Sequence, residues 1–148
     1  MPNYSEKFEK MRVAGKLAAE TLDMLTDNIK PGVTTEFIDK LGYEFIRDNG
    51  AYSAPLFYRG FKKSLCTSLN HVVCHGIPSD RVLNEGDALN VDVTAIINEH
   101  YGDTSRMFCI GKTPIKVNNL IDATYESMMK AIKLLKPGLR LGDIGYEI

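Results

Sequence analysis

Residues 90–105 have the sequence NVDVTAIINEHYGDTS, and this stretch decides the fold that we predict. Its first half alternates polar and apolar side chains with a period of two, so Asn90, Asp92 and Thr94 share one face of a strand. Residues 101–105 continue this pattern after a short polar turn. The stretch therefore predicts an antiparallel hairpin with one polar face.

The predicted hairpin brings Asp92 and Asp103 close together. A loop centred between Ile97 and Asn98 would pair the two aspartates directly, and a loop centred one residue later would place them diagonally. In both registers they share a face, with Cβ atoms roughly 5 to 8 Å apart. Three interpretations stay open: a divalent cation held by both carboxylates, a shared proton, or two solvated aspartates beside a turn.

Helical periodicity precedes this region. Apolar residues recur at steps of three and four from residue 5 to residue 29, which predicts an amphipathic helix that ends at Lys30-Pro31-Gly32. Thr34 or Thr35 is placed to cap a second helix, which the pair Asn49-Gly50 closes.

The middle of the chain changes to short stretches rich in apolar and β-branched residues, which predict strands. These stretches are 64–69, 72–74, 88–97 and 101–110. A third helical pattern follows over residues 118–135 and ends at a second Lys-Pro-Gly, residues 136–138. The mixture predicts the α/β (α+β) class.

The two Lys-Pro-Gly elements suggest a duplicated helix–helix–sheet unit. The alternative is two ordinary helix ends, where Pro-Gly is common. The duplication predicts a first repeat over residues 1–112 and the start of a second repeat over 117–148, which Ile148 would truncate.

Composition excludes several classes of function. The chain has 148 residues, a net charge of −1 and 44% hydrophobic residues. Interspersed charges argue against a nucleic-acid surface, and no apolar run is long enough for a membrane span. The polar start lacks the apolar core of a signal peptide. Three cysteines without C-x-x-C spacing predict reduced thiols and a cytoplasmic protein.

His75 lies in the sequence VVCHGIP, residues 72–78, where a glycine follows it. A histidine beside a tight turn can donate or accept a proton near neutral pH. The other interpretation is a structural histidine at the end of a strand.

Several motifs together resemble the N-terminal part of type I, bacterial-type methionine aminopeptidases. They are KMRVAG at 10–15, KPGVT at 30–34, VCHGIP at 73–78, NVDVT at 90–94 and GDTSRMF at 102–108. The resemblance covers essentially the whole chain in order, and the last three motifs together are highly specific.

The resemblance implies the pita-bread fold, in which two related helix–sheet halves surround a site for two divalent metal ions (Co, Mn, Fe or Zn). Asp92 would bind one metal with both oxygens, and Asp103 would bridge the two metals. The family's other ligands, one His and two Glu, come from the second half. His75 would contact the substrate and stabilise the tetrahedral intermediate.

The resemblance also implies the remaining site residues. Tyr58, Phe61 and Cys66 would line part of the methionine pocket, although Phe61 stands where the family usually has Tyr. The carbonyl groups of Asn70 and Val72 would hold a monovalent cation.

The function implied is removal of the initiator methionine, with the N-terminal Met peptides of nascent chains as partners. Complete relatives are usually monomers. Because three metal ligands are missing, we expect this 148-residue chain to be inactive alone. We also expect it to self-associate, because a truncated half should expose apolar surface where its second half belongs. The alternative is an inactive half-domain that acts as a binding or dimerisation module. Asp92 and Asp103 argue against metal-free relatives, and the motif spacing argues against prolidases.

Overall fold

A computed structural model describes residues 4–148 as two compact units, one ending at Lys112 and the other beginning at Thr113. The first unit contains α1 (Tyr4–Thr26), α2 (Thr35–Asp48), β1 (Tyr52–Ser53), a 3-10 turn (Tyr58–Gly60), β2 (Cys66–Leu69), β3 (Ala88–Ile97) and β4 (His100–Cys109). The second unit contains α3 (Ile115–Leu134) and α4 (Leu141–Glu147).

The first unit is built around one antiparallel sheet with β3 at its centre. β4 pairs with β3 along its whole length, from Ala88–Cys109 to Ile97–His100. β1 and β2 pair with the other edge of β3 at different positions, β2 near its start and β1 near its end. The segment between β1 and β2 therefore leaves and rejoins the sheet beside the middle of β3.

Helices α1 and α2 cover one face of this sheet, with α1 against β3 and β4 and α2 against β1 and β2. The core between them consists of aliphatic side chains that are almost completely buried: Leu17, Ala18, Leu22, Leu25, Ile38, Ile46, Leu65, Leu89, Val91, Val93 and Ala95. Removing this surface from water supplies the main stabilisation of the unit. The other face of the sheet carries the polar side chains.

Most predicted elements of the first unit are present. The strand predicted at 88–97 is β3, and Thr34 caps α2 by accepting a hydrogen bond from the Phe37 amide at 3.2 Å. The strand predicted at 72–74 is wrong, because these residues form a loop. They follow Asn70, whose positive φ of 53° turns the chain away from the sheet.

The turn between β3 and β4 decides the hairpin register. Asn98 and Glu99 have φ values of 52° and 63°, the pattern of a two-residue type I′ turn. The resulting register places Asp103 opposite Thr94. The aspartates are therefore diagonal, which is the second of the two predicted registers.

The two Lys-Pro-Gly elements have similar backbone geometry. Gly32 and Gly138 have φ values of 89° and 92°, a conformation that favours glycine. Each follows a long helix and precedes a shorter one. This similarity accords with an internal repeat, which remains a prediction.

Candidate active site

The polar face of the hairpin brings Asp92 and Asp103 into contact. Burial raises the pKa of Asp92, and the charge of Asp103 and a hydrogen bond between the two carboxyl groups raise this pKa further. An electrostatic interaction with His75 lowers the pKa of Asp92. The structure thus gathers two carboxyl groups and an imidazole in one region of the sheet face.

Cys66 belongs to the same cluster, because it is paired with Asp92 across β2 and β3. Burial raises the pKa of the Cys66 thiol to about 11, with contributions from the charges of Asp92, Cys74, Asp39 and Asp103. A thiol with this pKa stays protonated at neutral pH, so Cys66 is a packing group and not a nucleophile.

His75 is held by an unusual loop conformation. It is exposed and has a φ of 56°, in the left-handed region that few residues other than glycine adopt. The following Gly76 donates its amide hydrogen to the Ser68 hydroxyl at 3.1 Å, and its carbonyl accepts from the Thr67 amide at 2.8 Å. A Cβ atom at Gly76 would overlap the Thr67 carbonyl, so only glycine allows this loop to lie against β2.

The donor set suits part of a divalent metal site. Two converging carboxylates are the hard oxygen ligands that Mn, Fe, Co or Mg ions accept, and a cation would remove the repulsion that raises the pKa of Asp92. Within residues 4–148, however, no group of three or more His, Cys, Asp or Glu side chains is arranged to hold a metal. Asp92 and Asp103 therefore fit two positions of a larger ligand set.

Tyr58 and Phe61 lie on the segment between β1 and β2. The amide of Ala54 donates to the Thr94 carbonyl at 2.9 Å where this segment leaves the sheet, and Cys66 lies opposite Asp92 where it returns. Tyr58 is 64% exposed. The segment 54–65 thus carries both aromatic residues and begins and ends beside the middle of β3.

Asn70 and Val72 lie apart from this cluster, at the far end of β2. The Asn70 side chain donates to Asp87 at 2.8 Å and accepts from the Ala88 amide at 3.0 Å. Both residues line an open groove of about 290 Å³ that does not include Asp92 or Asp103.

Sequence reasoning did not select Thr94, Ser105 or Asp39 as site residues. Thr94 pairs with Asp103, and Ser105 pairs with Asp92, so both flank the carboxylates. Asp39 is only 9% exposed on α2 and interacts with Cys66. Nothing in the sequence signalled Asp39, because the burial of positions 35, 38, 39, 42 and 46 on α2 is visible only in the structure.

The model of metallopeptidase family M24 matches residues 9–148, nearly the whole chain. The chain belongs to this metallopeptidase family. It is 57% identical over 146 residues to the methionine aminopeptidase of Rickettsia prowazekii, covering 98% of this chain and 56% of that protein. The resemblance to the N-terminal part of bacterial methionine aminopeptidases is therefore confirmed, and the chain spans about half the length of the curated relatives it matches.

Solved structures confirm the pita-bread fold class. The crystal structure of methionine aminopeptidase from Rickettsia prowazekii matches 97% of this chain and 58% of its own chain, with a TM-score of 0.95 and 56% identity. Xaa-Pro dipeptidase from Bacillus anthracis has a TM-score of 0.79 at 20% identity, covering 90% of this chain and 36% of its own, which shows the fold alone. None of the helices between residues 4 and 148 is long and apolar enough to cross a membrane.

Proposed function

We propose that this M24 chain supplies the first half of the active site of a metal-dependent methionine aminopeptidase. The observation that carries the proposal is the contact between Asp92 and Asp103 beside His75 and Cys66 on one sheet face. The 57% identity to a methionine aminopeptidase supports the same reaction. Its substrates would be the N-terminal Met peptides of nascent chains.

In this proposal Asp92 and Asp103 hold divalent metal ions together with ligands from the rest of a complete polypeptide. Such ions, when bound, acidify water and polarise a carbonyl group. His75 donates a hydrogen bond to the oxygen of the scissile carbonyl, where negative charge develops during hydrolysis. Because His75 is exposed, its imidazole is accessible to a peptide substrate.

The segment 54–65, which we call the substrate loop, would select methionine together with Cys66. Tyr58, Phe61 and Cys66 offer aromatic and sulfur-containing surface, which suits a flexible thioether side chain. The carbonyl groups of Asn70 and Val72 would hold a monovalent cation, which stays a separate proposal because these residues lie outside the aspartate cluster.

The decisive experiment measures hydrolysis of Met-Ala-Ser by the complete polypeptide that carries this chain, with Co, Mn or Fe ions added. We expect Asp103→Ala to abolish turnover and metal binding, because it removes one of two converging carboxylates. Asp27→Ala, which removes an exposed carboxylate just after α1, is the matched control and should keep full activity. Activity retained by Asp103→Ala would refute the metal role.

We also propose that the 148-residue chain alone is inactive, because Asp92 and Asp103 would supply only part of the ligand set that the family resemblance implies, the other members being one His and two Glu. Dimerisation would not restore the site, since each copy brings the same two aspartates. The measurement is Met-Ala-Ser hydrolysis by the purified chain over a range of protein concentrations. Robust turnover sensitive to a chelator would contradict this proposal.

A further inference from the structure

Asp39 of α2 makes an unusual set of contacts for a carboxylate. It is 9% exposed, and its Oδ1 atom accepts hydrogen bonds from the Ser64 amide at 2.8 Å, the Ser64 hydroxyl at 2.6 Å and the Leu65 amide at 3.1 Å. Hydrogen bonds to a carboxylate are stronger than those to a neutral acceptor. One buried oxygen of α2 therefore holds the end of the substrate loop.

Two further contacts attach the same segment to α2. Glu36, one helical turn before Asp39, forms an ion pair with Lys63. Gly42, three residues after Asp39, allows the buried Leu65 side chain to approach the helix, because a Cβ atom at position 42 would meet Leu65. Residues 63–65 thus contact α2 at positions 36, 39 and 42, which are three residues apart and lie on one face of the helix.

The next residue in the chain is Cys66, which lies opposite Asp92. We propose that Asp39 is a positioning residue that fixes the returning end of the substrate loop, and with it the position of Cys66, Tyr58 and Phe61 relative to the metal-binding aspartates. This inference rests on the proposed function for its effect on substrate, but its effect on the loop stands on the contacts alone.

Asp39 supports the substrate loop and not the strands that carry the two aspartates. Asp92 and Asp103 are held by the hairpin of β3 and β4, which is paired along ten positions and does not include Asp39. Loss of the Asp39 contacts therefore loosens the substrate loop and leaves the hairpin in place.

The first test uses the 148-residue chain and measures alkylation of Cys66 by iodoacetamide under native conditions, with each cysteine followed by mass spectrometry. Cys66 is 7% exposed, so its labelling reports local opening of this segment. Cys74 and Cys109 are exposed and serve as internal references in the same sample.

We expect Asp39→Ala to speed Cys66 labelling by about tenfold, because two amides and a hydroxyl lose their acceptor. Asp39→Asn keeps an oxygen at the same position and should stay within about threefold of the unsubstituted chain. Ile46→Val, a core change on the same helix, is the control. It should speed Cys66 labelling only as much as its lower free energy of unfolding explains. If Asp39→Ala does not fold, Ser64→Ala tests the same contact, with an expected increase of about threefold. Unchanged labelling in Asp39→Ala or Ser64→Ala would overturn the proposal.

The second test measures Met-Ala-Ser hydrolysis by the complete polypeptide. Asp39→Ala should raise KM about tenfold while kcat and the metal Kd change less than about twofold, and Asp39→Asn should restore most of the KM. A fall in kcat with unchanged KM would overturn the positioning role. An inactive unsubstituted polypeptide would instead refute the proposed function, and the labelling result would still decide the role of Asp39.

Discussion

At the scale of single residues, the first unit contains two carboxyl groups whose negative charges repel each other. Asp92 is partly buried, its pKa is raised by burial first and by Asp103 second, and the two carboxyl groups share one sheet face. A folded-state pKa above the unfolded value means that ionised Asp92 destabilises the fold. This cost is absent below the unfolded pKa and grows as the pH rises through the folded pKa. Groups with pKa values perturbed in this way are common at functional sites.

We therefore expect Asp103→Asn to stabilise the metal-free chain by about 0.5 to 1 kcal/mol at about pH 7, because it removes a like charge. The gain should shrink as the pH is lowered, because Asp92, whose pKa is raised, takes up a proton and the repulsion between like charges is lost. The measurement is urea unfolding in the presence of a chelator. Asp122→Asn, an exposed site on α3, is the control, and a loss of stability in Asp103→Asn at pH 7 would contradict the interpretation.

At the scale of secondary-structure elements, the hairpin turn places the aspartates. A type I′ turn requires positive φ at both central residues, and here Asn98 is followed by Glu99 instead of the favoured glycine. The turn thus carries strain, while the ten paired positions of β3 and β4 maintain its register.

Glu99→Gly should stabilise the chain by about 1 kcal/mol, because glycine adopts positive φ without steric cost. Glu99→Ala keeps the Cβ atom and should give no such gain. Thermal and urea unfolding of the two variants measure the difference. Equal stability of the glycine and alanine variants would show that the turn is unstrained.

The contact of α1 with β4 depends on Gly102. A Cβ atom at Gly102 would overlap the backbone of Ala14 and Gly15, so the helix lies directly on the strand at this point. Gly102 is adjacent to Asp103, which makes this contact part of what supports the aspartate.

Gly102→Ala should lower the free energy of unfolding by about 2 to 3 kcal/mol, since the helix must move away from the sheet. Gly15→Ala is the matched control on the opposing helix. A Cβ atom at Gly15 meets nothing within 4 Å, so this change should stabilise by about 0.5 to 1 kcal/mol. A similar effect of both changes in urea unfolding would refute the close approach.

At the scale of the whole molecule, the second unit exposes much of its apolar surface. Ala131 is the one fully buried position on α3, while six large apolar residues on this helix and just after it are 46–77% exposed: Ile115, Leu120, Tyr125, Met128, Ile132 and Leu135. Exposed apolar surface of this extent is typical of an interface.

We expect the purified 148-residue chain to self-associate, with its apparent mass rising with concentration in sedimentation velocity measurements. Leu120→Glu combined with Ile132→Glu should shift it towards the monomer, because charges on the exposed face oppose apolar association. Glu126→Gln combined with Lys130→Gln is a control on the same helix. A monomer at all concentrations would contradict the prediction.

The sequence predicted several secondary-structure elements well because local rules govern them. Alternation along residues 90–97 placed Asp92 and Thr94 on the polar face, and helical spacing with Thr34 predicted α2. The loop at 72–74 was mistaken for a strand, because three apolar residues satisfy the strand pattern even when a positive φ at Asn70 redirects the chain. Apolar composition alone does not indicate that the chain changes direction at Asn70.

Amino-acid order by itself determined the family resemblance, the class of fold and the polar face of the hairpin, since these follow from motifs and from side-chain period. Tertiary structure alone decided the diagonal register of Asp92 and Asp103, the approach of His75 and Cys66, and the attachment of the substrate loop to Asp39. These features depend on backbone torsion angles and on contacts between residues distant in the chain. Hydrophobic periodicity specifies which face of an element is buried, but not which residue of another element it meets.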